Sequence, residues 1–167
     1  MRKLVMVMLS FIAITGLLAC DTDDVHSPES SPQPEKTSNN NKDDNPEENM
    51  KLKITIDTAV FTATLQNNTA AIAFEKLLPM TITMSELNNN EKYYDLQGSL
   101  PVAATNPGTI SNGDLMLYGS RTLVLFYESF STSYNYTRLG KIDDTTGLIS
   151  ALGSGNVTII FESEQKK

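Results

Sequence analysis

The chain has 167 residues, a formal net charge of -7, one cysteine and one histidine. Cys20 and His26 both precede residue 50, so the rest of the chain cannot build a Ser-His-Asp triad, a cysteine nucleophile or a zinc site of His and Cys ligands. A single cysteine also rules out an intrachain disulfide, and the acidic balance argues against a nucleic-acid partner, whose phosphates need clustered Lys and Arg.

In chain order, Arg2 and Lys3 come first and an apolar run from Leu4 to Leu18 follows. A run of about 15 residues is short of the roughly 20 that span a bilayer and suits the core of a signal peptide. The ending Leu17-Leu18-Ala19-Cys20 resembles the lipobox of bacterial lipoprotein signals. That resemblance implies cleavage before Cys20 and acylation of its thiol and new amino group. Residues 1–19 are therefore expected to be removed, and Cys20 to carry a lipid anchor. The membrane would then be a partner through that lipid, with the protein in the cell envelope outside the cytoplasm. From Asp21 to Asn49 there are nine acids against Lys36 and Lys42, with no hydrophobic periodicity. Such a stretch buries too little apolar surface to offset its ordering entropy, so residues 20–49 read as a disordered spacer.

Residues 50–164 read as one domain and 165–167 as a tail. Leu52, Ile54 and Ile56 alternate with Lys51, Lys53, Thr55 and Asp57, the period of a strand with one face buried. Phe61, Ala63 and Leu65 repeat the pattern after a turn at Asp57-Thr58-Ala59. Asn68 or Thr69 can cap a helix from Ala70 to Leu77, which Pro79 stops. Met80, Ile82 and Met84 give a third strand. The stretch opened by Asn88-Asn89-Asn90 has no assignable pattern.

Pro101, Asn106-Pro107-Gly108 and Asn112-Gly113 are turn signals. Strands are predicted over Asp114–Tyr118 and Thr122–Tyr127, joined at Gly119-Ser120, and again from Tyr134 to Ile142. Asp144 is taken as the cap of a second helix through Leu148 and Leu152 that Gly153 ends. The final strand, Val157–Phe161, is almost continuously apolar or β-branched, as suits a position between two neighbours. About eight strands with two isolated helices describe a mainly β closed barrel.

Several segments carry a family resemblance: Phe74-Glu75-Lys76-Leu77-Leu78-Pro79, Pro107-Gly108-Thr109-Ile110, Gly113-Asp114-Leu115-Met116-Leu117-Tyr118, Leu125-Phe126-Tyr127-Glu128 and Tyr136-Thr137-Arg138-Leu139-Gly140-Lys141-Ile142. In this order and spacing the domain resembles the cyclophilin-like superfamily, specifically a bacterial branch of small cyclophilin-like proteins. The resemblance implies an eight-stranded barrel with two helices. True cyclophilins are prolyl isomerases whose key arginine stands in a Phe-His-Arg motif on the strand after the first helix. Here that strand is Met80-Thr81-Ile82-Thr83-Met84, and the domain's only arginines are Arg121 and Arg138. Isomerisation needs a cation near the prolyl amide to favour the twisted peptide, and Arg138 is the one candidate on another strand.

Six of the domain's eleven aromatic residues lie between Tyr118 and Tyr136. On strands, alternate members face opposite sides. Half would fill the barrel, and the rest would line a groove with Arg121 or Arg138. The candidate binding set is Tyr118, Arg121, Phe126, Tyr127, Tyr134, Tyr136 and Arg138, and no catalytic residue is assigned. Glu128, Asp143 and Asp144 are the remaining acids of interest, the last two read as a helix cap and dipole partner. No metal site and no cofactor is expected. Three functions remain: a non-catalytic module that binds an extended peptide or small ligand, a weak prolyl isomerase or folding helper, and an accessory envelope protein without a ligand site.

Overall fold

The alternation that begins at Lys51 becomes the first two strands of a closed barrel in a computed structural model, which describes residues 50–164. The signal segment 1–19, Cys20, the spacer to residue 49 and the tail 165–167 lie outside the described residues. Strand β1 (Lys51–Ile56) buries Leu52, Ile54 and Ile56 completely. It turns at Asp57 and Thr58 into β2 (Ala59–Leu65), with Ile56 opposite Ala59. Asp57 takes a φ of 53°, a left-handed conformation that Asp tolerates better than most residues.

Helix α1 (Thr69–Glu75) starts at Asn68, whose Oδ1 accepts the Ala71 N–H at 2.9 Å. The Asn68 Nδ2 donates to the Arg138 carbonyl at 2.9 Å, so the cap also ties the helix to the barrel wall. Ala70, Ala71 and Phe74 form its buried stripe. The helix ends at Glu75, two residues sooner than expected, and two tight backbone turns lead to Pro79.

Strand β3 (Met80–Leu87) and strand β4 (Glu91–Asp95) form a hairpin through Asn88 and Asn89, both at positive φ. The asparagine run is thus a turn, and the polar stretch behind it is a strand. A two-residue strand, β5 (Thr109–Ile110), precedes β6 (Asp114–Tyr118) and β7 (Thr122–Phe126), which are paired by a turn through Gly119. Phe130–Ser131 is β8 and pairs with β5 as a separate two-stranded sheet. Strand β9 is Thr137–Ile142. It starts three residues later than predicted, because Tyr134 lies in the loop and Tyr136 is held by a single bridge to Thr105.

Asp144 does not cap the second helix. Helix α2 (Leu148–Leu152) starts at Gly147, whose φ of 81° suits glycine, and Gly153 closes it at φ 59°. Asp144 instead accepts the Thr146 N–H at 2.9 Å in a turn that precedes the helix. Asp143 accepts from Thr64 Oγ1 at 2.6 Å and Lys51 Nζ at 2.9 Å. Both acids serve the loop, which needs three more residues before helical geometry begins.

Strand β10 (Val157–Ser163) closes the barrel in the order β1-β10-β3-β4-β7-β6-β9-β2. The main core fills its interior with Leu52, Ile54, Ile56, Met84, Leu115, Leu117, Leu123, Leu125, Leu139, Ile159 and Phe161, joined by Phe74 from α1 and Leu148 and Leu152 from α2.

Candidate functional site

Strand β7 is buried on both faces from Leu123 to Phe126, as its neighbour β6 is from Asp114 to Leu117. Its Leu123 and Leu125 point inward to the main core, whereas Val124 and Phe126 belong to a second cluster with Ile110, Met116 and Tyr136. Neighbours across the strands share a face. Tyr93 stands opposite Val124, Asp95 opposite Thr122, Glu91 opposite Phe126, Met116 opposite Val124 and Tyr118 opposite Thr122. The outer wall over β4, β7 and β6 is therefore a patch of aromatic and aliphatic side chains flanked by carboxylates. Water is kept from its centre by the small sheet of β5 and β8 and by the loop that continues to Tyr136. That covering is fixed by backbone bonds from Thr132 N–H to the Gly108 carbonyl and between Thr105 and Tyr136 in both directions, each 3.0 Å.

Between the wall and the covering loop lies an open cavity of about 510 Å³, within the range of small-molecule sites. Val124 and Thr122 form its floor, Tyr93, Tyr118, Phe130, Tyr134 and Tyr136 its walls, and Glu91 and Asp95 its acidic side. The rings meet steeply. Tyr118 is 6.1 Å from Tyr134 at 89° and 5.6 Å from Tyr136 at 51°. Phe126 supports them from beneath, 5.5 Å from Tyr136 and 5.7 Å from Phe130. Steep contacts of this kind are favourable for aromatic quadrupoles, and they hold the side chains as adjoining walls. Tyr134 is 61 % exposed and Tyr118 47 % exposed, so the two lip rings remain free to contact a ligand.

The electrostatics are one-sided. No Lys or Arg lines the cavity, and Glu91 makes no salt bridge or side-chain hydrogen bond among the described residues. Burial, helped by the nearby charge of Glu86, raises the Glu91 carboxyl above its ordinary range. Burial likewise raises the Tyr136 phenol, with Glu91 and Tyr118 adding to it. Asp95 accepts a hydrogen bond from Thr122 Oγ1 at 2.6 Å and is exposed.

Of the residues singled out by sequence, Tyr118, Tyr134 and Tyr136 meet at this cavity and Phe126 lies under it. Tyr127 does not join them. It faces the barrel interior, where its hydroxyl donates to Glu86 Oε1 at 2.7 Å. Arg121 is exposed beside the β6–β7 turn, and its carbonyl accepts the Leu96 N–H. Arg138 shares the outer face with Met116 but lies 3.7 Å from the buried Asp114. Neither arginine lines the cavity, so the cation that isomerase chemistry would require is not beside it. Sequence reasoning missed Glu91, Tyr93 and Asp95, which sit at alternate positions of β4. Their period of two was a usable signal, hidden by the charged and aromatic residues between them.

The opposite face of β4 holds a second polar group. Lys92 is fully buried, and its ammonium bonds to Glu86 and to the carbonyls of Gly153 at 2.8 Å and Gly155 at 2.7 Å. Its three protons are thereby matched. The Tyr127 ring lies 5.3 Å from it. Burial works to raise the Glu86 carboxyl, but hydrogen bonds from Lys92 and Tyr127 and the Lys92 charge prevail and lower it. Tyr127 is pushed well above a normal phenol by burial and by Glu86. This group joins β3, β4 and β7 to the segment after α2, and it is a structural tie with no opening for a ligand to Lys92.

The model of the cyclophilin-like family matches residues 54–162. A hypothetical protein of Archaeoglobus fulgidus, known from its solution structure, superposes with a TM-score of 0.50 at 17% sequence identity, covering 68% of this chain and 94% of that one. At that identity the likeness speaks for the fold. No curated protein matches the chain.

Proposed function

The chain belongs to the cyclophilin-like family, and from that premise we propose that its barrel is a non-catalytic binding module, held outside the cytoplasm by a lipid on Cys20, that takes an extended peptide or small ligand into the outer cavity. The observation that carries this reading is the tyrosine-walled space of about 510 Å³ over β4, β7 and β6. Tyrosine presents an apolar body and a polar tip, and its side chain loses little entropy on contact, which is why it recurs in binding surfaces. The lip rings are exposed while Val124 on the floor is buried, the pattern of a site with a buried centre and a wet rim. A catalytic role has less support, since the cavity offers no imidazole, thiol or basic group.

The test is a titration of the isotope-labelled protein with short capped peptides, followed through the tyrosine ring resonances. Shifts confined to Tyr93, Tyr118, Tyr134 and Tyr136, and abolished by Tyr118→Ala, are expected. Shifts spread elsewhere, or none, would reject the cavity as the site. The tether is tested separately by detergent phase partitioning. Cys20→Ala should move the protein from the detergent to the aqueous phase, and an unchanged distribution would contradict the anchor.

A further inference from the structure

Two independent features of the cavity specify the charge of what it holds. The first is Glu91, a half-buried carboxylate without an ion-pair partner among the described residues, accompanied by Asp95 at the same wall. A carboxylate that has lost part of its water and gained no cation is costly to keep, and an arriving positive charge offsets that cost. The second is the set of rings around it. The Tyr118 ring lies 6.1 Å from Tyr134 at 89° and 5.6 Å from Tyr136 at 51°, and Tyr93 adds a fourth phenol beside Glu91 on β4. Electron-rich ring faces attract ammonium and guanidinium groups, more strongly where water is thinned. An anion would meet two like charges and no basic side chain in the same space, while a neutral apolar group would leave Glu91 unpaired.

We infer that the cavity recognises an organic cation, the ammonium or guanidinium of a lysine or arginine side chain carried on an extended peptide, with Glu91 as its counter-ion and Tyr118, Tyr134 and Tyr136 as its walls. The inference rests on the binding function proposed above and adds the chemical class of the ligand. An alkyl stem fits the apolar floor at Val124, and such stems lie readily along apolar surface while the charged head meets a polar group. The exposed lip at Tyr134 leaves room for the peptide backbone to continue outside.

The test uses the full chain in detergent and four capped tripeptides of the form Gly-Xaa-Gly, with Xaa lysine, arginine, norleucine or glutamate. Lysine and arginine peptides are expected to bind at least about tenfold more tightly than norleucine, about 1.4 kcal/mol, with glutamate weakest. Glu91→Gln should bring lysine and norleucine to within about threefold, as should raising the ionic strength to about 1 M. Asp95→Asn, at an exposed position, gives a smaller change in the same direction and serves if the Glu91 variant fails to fold. n-Butylamine separates the sources of the cation. Weaker binding than the lysine peptide supports the peptide ligand, and equal binding overturns the peptide in favour of a free amine. Equal or tighter binding of norleucine or glutamate overturns the cation while leaving the cavity a binding site. Silence of the cavity tyrosines with all four peptides overturns both.

Discussion

Strand β4 carries two charged residues side by side, Glu91 and Lys92, and the barrel treats them in opposite ways. Lys92 turns inward and is fully paired with Glu86 and two backbone carbonyls. Glu91 turns outward into a half-dry cavity and is paired with nothing described. A buried charge inside a core has to be matched or the fold fails, whereas an unmatched charge beside an opening is tolerable and is available for a ligand. The difference separates a group that holds the barrel together from one held ready at some expense of stability.

The largest effect expected from breaking the comparison is on the inner side. Lys92→Ala leaves the partly buried Glu86 carboxyl without its main partner and opens space beside Tyr127. It should cost about 4 kcal/mol, read by urea denaturation. Adding Glu86→Gln should recover part of the loss, since the two residues form one network. A loss below about 1 kcal/mol would mean that water reaches Lys92. Phe126→Ala comes next. Its ring is fully buried between β7 and the covering loop, and about 3 kcal/mol is expected, with faster amide exchange at Phe130–Tyr136.

Strand β4 also shows why the fold was more legible in the sequence than the site. β1, β2, β6 and β7 are found by alternation or by dense apolar runs, α1 by its Asn68 cap and Pro79 stop. In β4 the inward positions are Lys92 and Tyr94 and the outward ones Glu91, Tyr93 and Asp95. A buried lysine inverts the expected pattern, and two of the acceptors that match it, the carbonyls of Gly153 and Gly155, lie about sixty residues away. Half of the cavity was missed with it. The other half was visible as the aromatic run from Tyr118 to Tyr136, but register alone sends Tyr127 inward. Asp144 misled for a local reason, since the turn through Thr145 and Thr146 delays α2 to Gly147.

The two glutamates should also part company with pH. The Glu86 carboxyl is lowered from its ordinary 4.5, so its contribution is complete above that value and is lost as pH falls through the lower folded one. The Glu91 carboxyl is raised from 4.5. The folded state then binds more protons than the unfolded chain, and stability declines as pH rises from 4.5 through the raised value. Glu91→Gln should therefore gain up to about 0.5 kcal/mol at pH 7, a gain that vanishes in denaturation at acid pH. If the variant is destabilised at pH 7, Glu91 has a structural partner and is not waiting for one. The smallest effect is at the lip. Tyr118→Ala at a 47 % exposed position should change stability by less than about 0.5 kcal/mol while ligand binding is lost. In a protease-coupled assay with an Xaa-Pro peptide, the protein should leave the uncatalysed rate unchanged.

The most direct measurement is of intermolecular nuclear Overhauser contacts between the labelled protein and the capped lysine peptide. The account predicts contacts from the lysine side chain to the rings of Tyr118, Tyr134 and Tyr136 and to Val124 on the floor. Contacts to the far wall instead, at Val60 or Ile160, would place binding away from the cavity and contradict it.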